Sequence, residues 1–169
     1  MRIVVSDSSC LIDLQKVSLL DAFLRLPYEV LIPNTLFEDE LISFSVAQKR
    51  ALIRAGLKVV DLPGERVLRA QQVLRDAPRL SIQDAFALAL AEAEKGCILL
   101  TGDGNLRTLA ETKSIEVHGV LWVVDELHSH KVSAPRELHA ALQLLMEDPT
   151  VRLPRRELIS SLKRFETKR

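Results

Sequence analysis

SIQDAFALALAEAEKGCILLTGD, residues Ser81–Asp103, is the stretch that decides the fold. Its first part follows the local rules of a helix. Ser81 with Asp84 three residues on has the form of a capping box, alanine and leucine fill the interior, and Gly96 closes the segment after Lys95. The small residues leave a face that can approach a sheet closely. The second part, Cys97–Thr101, is a short apolar run of strand length, ending in the turn residues Gly102 and Asp103. A helix feeding directly into a buried-looking strand is half of a βαβ unit, so parallel neighbours are expected elsewhere in the chain.

Working outward, strands are predicted at Ile3–Val5, Glu29–Ile32 and Leu57–Asp61, with a weak edge strand at Ile115–His118. Helical segments lie between them. Cys10–Leu14 is a short helix, and Ser18 with Asp21 opens a second whose apolar face ends at Pro27. Asn34 or Thr35 caps a third, with Leu36, Phe37, Leu41 and Phe44 inward. Ala47–Ala55, Gly64–Arg75, Gly119–His128 and Ala134–Glu147 follow, and Pro154 opens a last helix reaching Phe165. The alternation predicts an α/β fold in three layers, α/β/α, with a parallel sheet covered on both faces. Strand signals stop near residue 130. The division expected is therefore an α/β domain over 1–130 and a helical C-terminal extension over 131–169, its tail made basic by Lys163, Arg164, Lys168 and Arg169.

Composition narrows the function classes. The 169 residues carry 23 Lys plus Arg against 23 Asp plus Glu, so no global basic field exists. Any nucleic-acid contact must rest on local patches or a metal, which argues against a general coat protein. Cys10 and Cys97 have no zinc-ligand spacing and sit in apolar contexts, as buried reduced thiols do. No apolar run has the length of a membrane span or follows a basic start as a signal peptide would, so a cytoplasmic protein is expected.

Four acidic positions stand where a strand ends or a helix opens: Asp7 after Ile3-Val4-Val5, the run Glu38-Asp39-Glu40 after Leu31-Ile32-Pro33, Asp84 after Ser81, and Asp103 after Thr101. Singly, each is explained by capping, a turn or the helix dipole. Together, in βα order, they converge on one edge of a parallel sheet, where ligand sites collect. Carboxylates gathered without cationic side chains call for a hard divalent ion. The set predicts a metal-dependent phosphodiesterase. Ser9 stands where haloacid-dehalogenase chemistry would need a second aspartate, which argues against that class.

Four segments carry a resemblance: Val5-Ser6-Asp7-Ser8-Ser9-Cys10-Leu11-Ile12, Ile32-Pro33 with Glu38-Asp39-Glu40-Leu41, Leu80-Ser81-Ile82-Gln83-Asp84-Ala85, and Leu100-Thr101-Gly102-Asp103-Gly104-Asn105-Leu106-Arg107. In order and spacing the chain resembles PIN-domain proteins, close to the VapC-type toxins of toxin–antitoxin pairs. The resemblance implies a PIN-like fold and a Mg²⁺- or Mn²⁺-dependent endoribonuclease acting on RNA. It also implies a cognate antitoxin as partner and a possible homodimer. Asp7, Asp84 and Asp103 match the family's acidic positions. For the second position Glu40 is favoured, with Asp39 close behind. Asp7 and Asp103 would bind the ion directly, while Glu40 and Asp84 act through waters. Asn105 stands where many relatives carry another carboxylate, which weakens a second metal. Ser8 and Arg107 are candidates for phosphate contact. Apolar residues in Leu11–Leu26 and Phe37–Phe44 are candidates for receiving the antitoxin. Two rival functions follow from the same residues: a catalytically weak PIN-like binding or regulatory module, and a DNA-acting structure-specific nuclease.

Overall fold

Strand β1 (Arg2–Ser6) sits at the centre of a five-stranded, all-parallel sheet of order β3-β2-β1-β4-β5, formed with β2 (Tyr28–Pro33), β3 (Lys58–Val60), β4 (Ile98–Leu100) and β5 (Glu116–His118). The computed structural model describes residues 1–166, so Lys168 and Arg169 of the expected basic tail lie outside the described residues. Val4 pairs with Val30 and Ile98, and Val5 with Leu31 and Leu99, so the middle of the sheet is a continuous aliphatic slab. Val5 and Leu99 are wholly buried, as the central strands of a sheet covered on both faces must be.

The stretch that decides the fold forms α6 (Ile82–Ala93) and β4. Ala85, Ala87, Ala89 and Ala91 are buried together with Leu88 and Leu90. The helix is covered nearly all round because it lies across β1, β2 and β4 and carries α5 (Gly64–Asp76) against it. Arg69 of α5 grips Glu92 of α6 through two bonds of 2.8 and 3.0 Å. Another group of helices packs together: α1 (Ser8–Lys16), α2 (Leu20–Leu24) and α8 (Val120–Ser129), followed by α9 (Pro135–Glu147) and α10 (Arg155–Arg164). Helices therefore cover both sides of the sheet, which makes the three-layer α/β/α architecture. The C-terminal helices are docked: Leu158 and Phe165 are buried, Phe165 meets His128 edge-on at 5.1 Å, and Arg164 pairs with Asp125.

Several local expectations are corrected. Ser18 does not cap α2. It adopts φ +59 in the turn after α1, and Leu19 is the N-cap with no side-chain bond. Neither Asn34 nor Thr35 caps α3 (Asn34–Asp39). Pro33 occupies the cap position, because the strand runs straight into the helix with no polar residue between. Ser45 forms a full capping box with Gln48 at the start of α4 (Val46–Arg54). The apolar residues expected to receive an antitoxin are mostly core. Leu11, Leu14, Leu20, Phe23, Phe37 and Leu41 are buried, and in these two segments Ile42 stands out at 80% exposure. Cys10 and Cys97 are free and buried, as their apolar contexts predict. Among the described residues no helix is long and apolar enough to cross a membrane.

Candidate active site

The strand order reverses between β1 and β4. From β1 the chain steps outward to β2 and β3, then returns to β4 on the other side. Open α/β sheets leave a crevice at such a switch point, outside the carboxyl ends of the strands. Asp7 follows β1 and Asp103 follows β4, so the two carboxylates flank that crevice.

Asp7 is the N-cap of α1 and only 5% exposed. Its carboxylate accepts from the Cys10 amide at 3.0 Å, from Ser9 Oγ at 3.0 and 3.1 Å, and from Thr101 Oγ1 at 2.5 Å. Burial pushes its pKa up, while the bonds from Thr101, Cys10 and Ser9 pull it back without cancelling the rise. The Thr101 hydroxyl also accepts the Asp103 amide at 3.1 Å. One wholly buried hydroxyl thus sets the Asp7 carboxylate and the turn carrying Asp103 in fixed relation. Asp103 caps α7 (Gly104–Thr112) by accepting from the Leu106 amide at 2.8 Å.

Glu40 joins from α3. Its Oε1 accepts from Ser8 Oγ at 2.5 Å, next to Asp7, while Glu38 and Asp39 are exposed. Glu40 is the C-cap of α3, one residue past its end, and of the three acids in this run its carboxylate is the one bonded to Ser8. Asp84 lies at the same edge, in the first turn of α6, but its carboxylate closes the capping box with Ser81 at 3.1 Å. The described bonds tie it to none of the other three acids. Asn105 is exposed in the first turn of α7. Ser8 is buried and committed to Glu40. Arg107 donates to the Val117 carbonyl at 3.3 Å and borders a large cavity beside the crevice. Asp13, one turn along α1, borders it too. Burial lifts its pKa to about 6, against the opposing pull of Lys16.

Sequence reasoning left Thr101 as no more than a strand end. The available signal was a hydroxyl residue closing an aliphatic strand two places before a predicted site aspartate.

Fold and site together define a class: a doubly wound α/β/α protein with an acidic cluster at its switch point. A family model described as "PIN domain" matches residues 3–167, and the chain belongs to the PIN-domain family. PIN domains are typically nucleases, so the fold is a nuclease fold and hydrolysis the reaction class it serves. No curated protein matches the sequence.

The donor set fits a hard divalent ion in chemistry. Asp7, Asp103 and Glu40 offer only oxygens, at the edge where two strands end. Among the described residues no group of three or more His, Cys, Asp or Glu side chains closes to metal-binding distance.

Proposed function

We propose that this protein is a Mg²⁺- or Mn²⁺-dependent endoribonuclease, the toxin of a toxin–antitoxin pair working in the cytoplasm. The observation that carries the metal-nuclease reading is the Thr101 bridge, which fixes Asp7 and the Asp103 turn together at the switch point of a PIN domain. Asp7 and Asp103 would hold the ion. When bound there, it would supply a water of lowered pKa and neutralise charge on the phosphate.

The chain's own residues do the rest. Thr101 and Ser9 hold the Asp7 carboxylate in one rotamer, so its direction is set before substrate arrives. Ser8 holds Glu40 by Oε1, leaving Oε2 to orient a water for in-line attack. Asp84 acts from the edge through water, with the Ser81 capping box fixing its position. Hydrolysis adds water across one P–O bond and releases a phosphate-terminated and a hydroxyl-terminated strand.

The toxin role and the antitoxin rest on the likeness of the ordered acidic segments to VapC-type toxins. Exposed Ile42 and Val46 are apolar side chains left for such a partner or for a second copy of the chain. Purified protein with Mn²⁺ should cut single-stranded RNA, and chelator or Asp7→Asn should stop it. A folded, metal-loaded, antitoxin-free protein that cuts no RNA in a mixed-sequence panel would sink the ribonuclease reading. A second reading, a PIN-like binding module, is favoured by one observation: exposed, neutral Asn105 where a further carboxylate would stand. Calorimetry separates the two, since that module takes up no Mn²⁺ in a manner dependent on Asp7. Cutting of flap or junction DNA in preference to RNA would instead mark a structure-specific DNA nuclease.

A further inference from the structure

The helical extension borders a cavity of about 1,040 Å³, open to solvent. Thr101, Gly102 and Gly104 form its inner wall, and Arg107, Arg152 and Lys163 also line it. The inner wall is shared with the acidic centre, because Thr101 is the residue that bonds Asp7. A Cβ built on Gly102 or Gly104 would meet nothing within 4 Å, so these two glycines face open space.

Asp13, Asp125 and Glu157 line the cavity too, so it holds both signs of charge. At the crevice stand Asp7, Asp103 and Glu40. In the cavity Arg164 is already paired with Asp125, but Arg152 and Lys163 are exposed and have no carboxylate partner among the described residues. Arg107 reaches its nearest carboxylate, Glu111, only at 3.7 Å. No aromatic ring lines the cavity, so bases find no stacking surface there. With Arg164 and Asp125 paired, Arg107, Arg152 and Lys163 exceed Asp13 and Glu157 by one charge, and that positive excess beside the acidic centre suits the phosphodiester backbone of a strand rather than its bases.

Resting on the nuclease reading above, we propose that α10 and the segment before it form a backbone-binding subsite. Arg107, Arg152 and Lys163 hold phosphates of single-stranded RNA beyond the one being cut, so the C-terminal extension is part of the substrate-binding surface. Its contribution is to affinity and is independent of base sequence.

The test removes charge at exposed positions of the full-length chain. Arg152→Gln, Lys163→Gln and the double variant are made in the Asp7→Asn background, which prevents cleavage during binding. Lys95→Gln serves as control, since Lys95 is exposed next to Gly96, before β4, at the opposite edge of the sheet. Fluorescence anisotropy with a labelled 12-nucleotide mixed-sequence RNA is recorded across a salt series. Each cavity variant should bind several-fold more weakly, and the slope of log K against log salt should fall by about 0.7 per lost phosphate contact. The double variant should lose both contacts, and the control neither. Unchanged affinity and slope in the double variant overturn the subsite, as does the absence of any RNA binding at low salt. Weakening restricted to one sequence in the panel also overturns it, because it shows base readout. Cleavage is measured separately, with Asp7 intact. Protein that cuts with unchanged KM in the double variant keeps the nuclease reading and loses this one. Protein that binds through these cations and never cuts does the reverse. A DNA 12-mer of the same sequence is titrated alongside, and tighter binding of it than of the RNA assigns the subsite to DNA and overturns the RNA assignment.

Discussion

Replacing Asp7 with asparagine should abolish cleavage and at the same time stabilise the metal-free fold near neutral pH. Asparagine caps a helix about as well as aspartate, so Oδ1 keeps the Cys10 amide and the start of α1 is preserved. The loss falls on charge assistance. Bonds from Thr101, Ser9 and the Cys10 amide to a carboxylate become weaker bonds to an amide, and the Thr101 bond must reverse its sense. At a difference of about 1 kcal/mol per bond between charged and neutral acceptors, this totals about 3 kcal/mol. Against it stands relief of burying a charge at 5% exposure, worth several kcal/mol. The raised pKa of Asp7 decides the sign, since it means that burial outweighs the bonds. The net gain expected is about 1 kcal/mol, a Tm rise of about 2–4 °C for a chain of this size.

The linkage is explicit. A carboxyl whose folded pKa is raised is penalised above that pKa and relieved below its ordinary value of 3.8. The advantage of the variant in chelator is therefore full only above the raised folded pKa and vanishes as pH falls below 3.8. Added Mn²⁺ should then raise the Tm of the wild type, by an amount that grows with the logarithm of its concentration, and leave the variant unmoved. Thermal melts at pH 7 and in acid, with and without Mn²⁺, read all of this. A variant destabilised by more than 1 kcal/mol at pH 7 would refute the balance drawn for Asp7. An equal Mn²⁺ response in both proteins would refute its role as a ligand.

Glu40→Gln should lower kcat by at least tenfold while Asp39→Asn leaves it within twofold, as steady-state cleavage would show (about 1.4 kcal/mol is tenfold). Equal losses would mean that the Ser8–Glu40 bond does not mark the working carboxylate. Thr101→Val leaves Asp7 and the Asp103 amide each short of a buried partner, so it should destabilise the fold by about 1–3 kcal/mol. Thr101→Ser should restore both bonds and activity, which denaturant titration and cleavage assays can check. At Glu92 burial raises the pKa, but Arg69 and Lys113 outweigh it and leave the group below its ordinary 4.5. Its contribution is present above 4.5 and lost as pH falls through the folded value, so Glu92→Gln should lower stability by about 0.5–1 kcal/mol at pH 7, with the gap closing in acid. A gap that persists at pH 3 would assign the effect to packing.

From the sequence alone the layers could be read, as could the edge that carries the acidic candidates. Period, capping residues and turn residues act over a few positions, and Ser81–Asp103 contains a capping box, a buried helix and a strand in that order. Parallel pairing then follows, because short strands separated by helices have few other ways to join. The acidic candidates were legible for the same reason, as each is a strand end or a helix start. Where local rules misjudged, as at Ser18 and Asn34, the tertiary path decided: β2 enters α3 without a break, and the turn after α1 takes a left-handed residue. Glu40 was already favoured in the sequence over Asp39; its bond to Ser8 is a fact of the fold, since it depends on how α3 packs against β2, β3 and α6. Only the fold revealed Thr101 as the bridge between Asp7 and Asp103, residues separated by most of a hundred positions and joined by pairing of β1 with β4. It also brought α10 beside the crevice. That placement depends on Leu158 and Phe165 finding buried sites among distant helices, and long-range packing of this kind leaves no periodic mark in the chain.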